Sequence, residues 1–538
     1  MSALPDPIAE GLARGWRVID ASRDALPERL ECDVAIVGTG AGGGITAEIL
    51  ARAGLKLVLI EEGPLRSSRD FRMREADAYP DLYQESAARK TADKAINILQ
   101  GRCVGGSTTV NWTSSFRTPA PTLAWWAEHH ALAGFDRDTL GPWFAQAERR
   151  LSIGPWLVPP NENNDLLRRG AMALGIPAAA ILRNVKGCWN LGYCGVGCPT
   201  NAKQSMLVTT LPAALDAGAT LLVRARAARL RLAGDAVEAV EVDGLDAAGL
   251  APSGRRVVVH ARHVVLAGGA INSPALLLRS KAPDPAALAG TRTFLHPTVI
   301  SAAILESTVD GHAGAPQTIY SDHFLDMHPI DGPIGYKLEA PPIHPLLFAS
   351  TMQGFGDEHA ARMRQFRHTH VLLALLRDGF RPDSPGGRVT VRGDGSPVLD
   401  YPITDCLWDG ARRALLSMAE IQFAAGARSV LPVHEAGTEL RSWAAAREAI
   451  AALPMKPLAM RVVSAHVMGG CAMSADDRRG LVRPDGQHHH LRNLSVHDGS
   501  LFPTSIGANP QLSIYGITTR MAAGLALRLT GRPAPPLA

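Results

Sequence analysis

Between residues 31 and 63 the apolar positions form two short runs separated by a stretch of small residues, and the period changes from one to the next. Val34 to Val37 is continuously apolar, as a strand buried on both faces must be. Gly38-x-Gly40-x-x-Gly43 follows, and a small-residue helical pattern then runs through Ala53. A second apolar run, Leu57 to Ile60, ends at the acid Glu61. The pattern predicts strand, glycine turn, helix, strand, acid. Gly38 and Gly40 permit a tight turn and bring bare backbone close to a pyrophosphate, and Gly43 lets the helix lie close on the sheet. Glu61 stands where a carboxylate accepts hydrogen bonds from a ribose, so the unit reads as dinucleotide-binding.

Elsewhere the pattern is less regular. Residues 1–30 read as a lead-in on the surface, 122–150 as a Trp-rich helical region (Trp125, Trp126, Trp143) and 151–165 as a loop. Strand-like runs occupy Thr220–Val223, Ala236–Val242, Arg256–Val259 and His263–Ala267. Thr369–Leu376 is another, and 387–401 reads as a hairpin turning at Gly393-Asp394-Gly395. Long helices are expected at about Cys406–Ala425 and Leu512–Leu529. The fold class implied is α/β (α+β overall): a Rossmann-like domain in two parts, 31–299 and 457–538, with helical and loop insertions at about 118–186. Between the two parts lies a substrate domain over 300–456, built on an antiparallel sheet.

Composition changes little in this picture. At 538 residues, 46% hydrophobic and 20% charged, the chain is long enough for two cores. A net charge of +4 with mixed signs gives no reason to expect a nucleic-acid partner. No apolar stretch reaches the ~20 residues of a membrane span, since Val264–Leu278 is broken by Gly268, Gly269, Asn272 and Pro274. The N-terminus lacks an apolar secretory core, and seven unevenly placed cysteines suit a reducing compartment. A cytoplasmic protein is expected, with peripheral membrane association open.

The remaining chemistry is carried by segments with a resemblance. Gly101-Arg-Cys-Val-Gly105-Gly106-Ser-Thr-Thr-Val-Asn111 matches the first signature of the glucose–methanol–choline (GMC) family of flavoprotein oxidoreductases. Gly269-Ala-Ile-Asn-Ser273-Pro274 through Ser280 resembles the second, departing at its end, where Lys281 replaces glycine. Ala465-His466-Val-Met-Gly469-Gly470-Cys471 resembles the family's catalytic histidine segment, and His497-Asp498-Gly499 through Ala508-Asn509-Pro510-Gln511 its flavin-proximal segment.

The resemblance implies FAD, with Gly38, Gly40 and Gly43 at the pyrophosphate, Glu61 on the ribose and Ala227 in the segment meeting the adenine. Gly105, Gly106 and Asn111 would lie along the flavin, with Asp498, Gly499, Ala508, Pro510 and Gln511 in the C-terminal cofactor-binding segment. Some members link the flavin covalently through a histidine just before that asparagine; Val110 stands there, so a non-covalent flavin is expected. Family members pair a catalytic His with His or Asn, here His466 with Asn509. Imidazole is the suitable base for an alcohol proton near neutral pH, and Asn509 would orient the hydroxyl. Asn509-Pro510 also reads as a helix start, with the asparagine as capping side chain. The helix would then aim its positive end at the flavin edge that gains negative charge on reduction.

The activity implied is oxidation of a small-molecule alcohol by proton abstraction and hydride transfer to flavin N5, with O2, a quinone or a cytochrome as acceptor. A flavoprotein lyase and a non-catalytic FAD-binding protein are the alternatives. Cys188, Cys194 and Cys198 leave a further one open. Their spacing resembles an iron–sulfur segment of bacterial sugar dehydrogenases in this family, and equally the cysteine-rich segment of long-chain fatty alcohol oxidases, so an iron–sulfur-linked sugar or polyol dehydrogenase is possible. His488, His489 and His490 read as a solvated loop, since adjacent residues seldom converge on one metal.

Overall fold

The computed structural model describes residues 4–537. Its two main sheets have different architectures, and the difference follows from which faces are covered. The first sheet has the strand order Arg17–Asp20, Thr220–Val223, Leu57–Ile60, Arg29–Val37, Pro252–Leu266, Ala236–Leu245, Ala225–Ala233. Pairing is parallel from the first of these to Pro252–Leu266, and Leu494–Val496 adds in parallel beside Val264–Leu266. Leu57–Ile60 and Thr220–Val223 are buried throughout, as the continuous apolar runs require. The helix Ala41–Arg52 packs on one side of this sheet against the C-terminal helix Gln511–Thr530.

The second sheet runs Ile96–Ile98, Val462–Ser464, Thr298–Ile304, Thr369–Leu376, Tyr336–Glu339, Ile319–Ser321, Ala179–Ala180, with Ser429–Pro432 also on Thr298–Ile304. It is antiparallel except where Ile96–Ile98 joins Val462–Ser464. One face packs on the helix Asp405–Ala424 through Tyr336, Leu338, Leu372 and Ala374. The opposite face carries Ile300, Ala302, Val371 and Leu373, covered by Phe348 and Met352. Strand alternation sends Lys337 and Glu339 to that second face.

The strand–turn–helix–strand unit, the hairpin (Arg388–Val391 with Pro397–Asp400) and both long helices lie within a few residues of their expected places. Four readings are corrected. The lead-in is part of the sheet, with Arg17–Asp20 pairing in parallel with Thr220–Val223. The two runs near 256 and 263 are one strand, Pro252–Leu266, because one half pairs with the Ala236–Leu245 hairpin and the other with the parallel strands. The loop at 151–165 ends early: Asn161 caps the helix Glu162–Ala173 by accepting from the Asn164 N–H. The histidine tract is not a solvated loop. It folds beneath the strand Leu494–Val496, where His488 N–H donates to the Leu494 carbonyl and the His488 ring is fully buried.

Candidate active site

The glycine turn and the Gly101–Asn111 segment meet face to face. Gly38, at φ +98°, lies against the Ala267 carbonyl, in a conformation and a space that exclude a side chain. A Cβ on Gly43 would strike the Gly38 carbonyl oxygen, so glycine there sets the approach of helix to strand. Across the turn, a Cβ on Gly106 would lie 2.8 Å from the Gly40 Cα, whereas one on Gly40 would find nothing nearer than 3.9 Å. No side chain caps the helix Ala41–Arg52, which leaves its first N–H groups available at this glycine-lined opening.

Glu61 closes the same unit. Its carboxylate accepts from Thr39 Oγ1 (2.6 Å), Thr39 N–H (3.1 Å) and Gly63 N–H (2.9 Å), and Thr39 Oγ1 in turn accepts from the Gly105 N–H at 3.1 Å. Burial pushes the Glu61 carboxyl upward, and the Thr39 and Gly63 bonds oppose that shift. Ala227 sits two residues beyond Ala225, whose N–H donates to the Glu61 carbonyl at 2.9 Å. Bare backbone, free helix N–H groups and an inward carboxylate together fit a dinucleotide.

The residues expected along a flavin also converge from distant parts of the chain. Asn111 Nδ2 donates to Gln511 Oε1 at 2.6 Å, and Gln511 Nε2 donates to the Ser114 carbonyl at 2.7 Å. Asp498 accepts from Gly269 N–H (2.8 Å) and Ser273 Oγ (2.6 Å), joining the second signature to the C-terminal segment. Gly499 begins the short 3₁₀ turn Gly499–Leu501, and Ala508 and Asn509 are buried just before the C-terminal helix. Lys281, the departure from the family pattern, has φ +52°, which explains why glycine suits that position. Val110 lies buried in the turn Ser107–Val110.

Asn509 meets the strand Tyr336–Glu339, whose Lys337 charge also acts on His466. Lys337 Nζ donates to Asn509 Oδ1 at 3.2 Å, and Asn509 Nδ2 donates to Glu339 Oε2 at 3.3 Å. The expected cap is therefore absent: the helix starts at Gln511 after Pro510, and the Asn509 amide is drawn sideways to the ion pair. Lys337 and Glu339 are 2% and 0% exposed, with Nζ 3.3 Å from Oε1. Nζ also stands 2.9 Å from the Phe116 ring centre and 4.5 Å from that of Tyr320. Gln317 Nε2 donates to Glu339 Oε2 at 2.8 Å. Burial lowers the lysine to about 8, with Glu339 opposing, and raises the glutamate, with Lys337 opposing. Removing either partner would strand a buried charge, at a cost of about 3–5 kcal/mol.

The His466 ring remains partly accessible, and its Nδ1 lies 3.2 Å from Nδ1 of fully buried His296. Burial, then the Lys337 charge, lowers His466 from 6.5 to about 3, and His296 is pushed well down by burial and by His466. Both rings are neutral, so one Nδ1 donates and the other accepts. His296 holds a left-handed backbone, φ +49°, with its N–H donating to Asp378 Oδ1 at 3.2 Å, and Tyr401 OH donates to Asp378 Oδ2 at 2.5 Å. Lys337, Glu339 and His296 escaped the sequence reading. They lie outside the recognised motifs, and only the strand register and the turn before Thr298 bring them in.

The cysteines are not arranged as a ligand set. Cys188 Sγ accepts from Asn190 N–H (3.4 Å), Cys194 Sγ from Arg183 Nη2 (3.7 Å), and Cys198 Sγ lies 3.5 Å from Thr200 Oγ1. Lys203 Nζ ties this segment to the Gly101–Asn111 segment by donating to the Cys194, Asn111 and Thr109 carbonyls. Among the described residues no group of three or more His, Cys, Asp or Glu could hold a metal ion, so the iron–sulfur alternative finds no support. No described helix is long and apolar enough to cross a membrane.

Two family models described as GMC oxidoreductase match residues 79–298 and 382–518, together more than half of the chain. The chain belongs to the GMC oxidoreductase family. This GMC oxidoreductase is an FAD-dependent enzyme acting on CH–OH donors. It is 28% identical over 507 residues to a long-chain-alcohol oxidase of Arabidopsis thaliana, covering 91% of this chain and 68% of that protein. It is 31% identical to an uncharacterized GMC-type oxidoreductase of Mycobacterium tuberculosis (strain ATCC 25618 / H37Rv), covering 94% and 77%. In fold it is similar to formate oxidase (TM-score 0.69, 15% identity, 94% of this chain and 99% of that one). Pyridoxine 4-oxidase from Mesorbium loti gives 0.67 at 21% identity, covering 91% and 98%.

Proposed function

We propose that this GMC oxidoreductase converts an alcohol to a carbonyl compound, with His466 taking the hydroxyl proton and Asn509 orienting the hydroxyl. The hydrogen bonding of Asn509 by the buried Lys337–Glu339 pair, whose lysine charge also acts on His466, carries the reading. Bound FAD supplies the hydride acceptor. The turn from Gly38 to Gly43, with Gly105 and Gly106, would hold its pyrophosphate, and Glu61 its ribose. Asn111 and Gln511 would lie along the flavin, with Asp498 fixing the segment behind them. The domain division at 300 and 456 is proposed with them, the substrate domain recruiting Ile96–Ile98, Ala179–Ala180 and Val462–Ser464 to its sheet.

For His466 Nε2 to accept the proton, the neutral ring must carry its hydrogen on Nδ1 and donate it to His296 Nδ1. His296 is then an orienting partner for the base. A long-chain alcohol is the substrate class we propose, on the similarity to long-chain-alcohol oxidases. We propose O2 as the acceptor, in keeping with the oxidase names of these relatives. An α-dideuterated primary alcohol should slow anaerobic flavin reduction with a primary isotope effect. An undiminished rate with the labelled alcohol contradicts rate-limiting hydride transfer.

Two further outcomes are expected. Trichloroacetic acid should release the flavin into the supernatant, because Val110 offers no nucleophile; colour kept in the pellet contradicts a non-covalent flavin. The acid limb of kcat/KM should lie below the ordinary imidazole value of 6.5. The active form is the neutral ring, and a lowered pKa keeps it neutral to lower pH. A limb at or above 6.5, read from the pH profile, contradicts the burial-depressed base.

A further inference from the structure

Each end of the Asn509 amide is held by an opposite charge: Nζ of Lys337 donates to Oδ1 at 3.2 Å and Nδ2 donates to Glu339 Oε2 at 3.3 Å. A half-turn of the amide would set its NH₂ against the ammonium and its oxygen against the carboxylate. Two attractions would become two repulsions in a site from which water is excluded. The two charges come from alternate positions of one strand, so their spacing is set by the sheet and not by flexible loops. Gln317 steadies Glu339 from the neighbouring segment, and the Phe116 and Tyr320 rings hold Nζ from another side.

We infer that Lys337 and Glu339 are positioning residues, a charged clamp that fixes the Asn509 amide with its remaining Nδ2 hydrogen available to the substrate hydroxyl. The inference rests on the alcohol-oxidising role proposed for Asn509. A hydroxyl that accepts from Nδ2 keeps its own proton free to donate to His466. With the amide reversed, the hydroxyl would instead donate to Oδ1, and the proton to be removed would be directed away from the base. A neutral partner on either side would hold the amide less firmly, because charge-assisted hydrogen bonds are the stronger ones. The clamp therefore selects the productive hydroxyl orientation before the base acts.

The test is a four-protein cycle in FAD-replete holoenzyme: wild type, Lys337→Met, Asn509→Ala and the double variant, with 1-dodecanol as probe and anaerobic flavin reduction as readout. Lys337→Met should lower the limiting rate ~10–100-fold with its FAD content unchanged, the scale expected of a misplaced orienting group. The double variant should be no slower than the slower single one, because Lys337 acts through Asn509. Factors that multiply in the double variant, or a wild-type rate in Lys337→Met, overturn the clamp and leave the role of Asn509 intact. A wild-type rate in Asn509→Ala overturns both. Two measurements guard against simple misfolding. Lys337→Met/Glu339→Gln, which leaves no stranded charge but no charged partner for the amide either, should fold with its FAD and stay as slow as Lys337→Met; recovery to the wild-type rate counts against the clamp. Without any substrate, the infrared difference spectrum of Lys337→Met should show a protonated carboxyl at Glu339, absent from the double replacement. No such band means that Lys337 does not keep Glu339 ionised, and overturns the proposal.

Discussion

His466→Ala is expected to lower the rate of anaerobic flavin reduction ~10²–10⁴-fold, the range for loss of a general base, while the protein keeps its FAD. The cofactor should stay because none of the hydrogen bonds that hold Glu61 and Asp498 in place involves the His466 side chain. The expected loss is in kcat more than in binding, since a proton acceptor acts chiefly in the transition state. Stopped-flow reduction at saturating alcohol reads it directly. A variant within threefold of wild type would show that His466 is not the base.

Gly42→Ala is expected to be the most damaging single methyl in the chain. A Cβ there would overlap the carbonyl oxygen of His497, and the Asp498 Cα would be 3.2 Å away. Both neighbours are backbone, so no side chain can rotate aside. Either the helix Ala41–Arg52 or the segment before Gly499 must shift, and overpacking of this kind costs about 1–3 kcal/mol or more. The shift would also open the join between the glycine turn and the C-terminal segment, so flavin should be lost on gel filtration together with a drop in Tm. Gly141→Ala is the control: nothing lies within 4 Å of its Cβ and the position is helical. It should hold flavin and Tm, or raise Tm slightly. A Gly42→Ala protein with wild-type flavin content and Tm would contradict the packing described.

Gly42 also marks how far the amino-acid pattern reaches. The dinucleotide unit was legible because its signals are local: two apolar runs, three spaced glycines and an acid within 33 residues. Gly42 lies inside that motif yet carries no local signal, because its constraint comes from His497, 455 residues away. The long helices and the hairpin were legible for the same local reason, through helical periodicity and a Gly-Asp-Gly turn. The single strand Pro252–Leu266 was not, because its middle, His260 to Arg262, is polar and only the neighbouring strands hold it extended.

The site divides in the same way. His466 and Asn509 stand in recognisable segments. Lys337 and Glu339 stand in a run, Tyr-Lys-Leu-Glu, whose alternation reads as an ordinary half-exposed strand with charges toward solvent. The covering by Phe116, Tyr320 and Gln317 turns that polar face inward, and no periodicity foretells it. Asn509 shows the converse. Its Asn-Pro context suggests a cap, but a buried ion pair outcompetes the helix N–H groups for the amide. For the histidine tract, strand pairing of the residues just after it draws His488 under the sheet.

The central claim is that this enzyme removes a proton and a hydride from an alcohol and retains the electrons on its flavin. Titrating the FAD-replete protein anaerobically with aliphatic, aryl and sugar alcohols tests it most directly. The account predicts that an aliphatic alcohol bleaches the flavin, that the bleached spectrum persists until an acceptor is admitted, and that one carbonyl product appears per flavin reduced. A flavin that stays oxidised with every alcohol, or that bleaches and recolours without an acceptor as a lyase would, contradicts it.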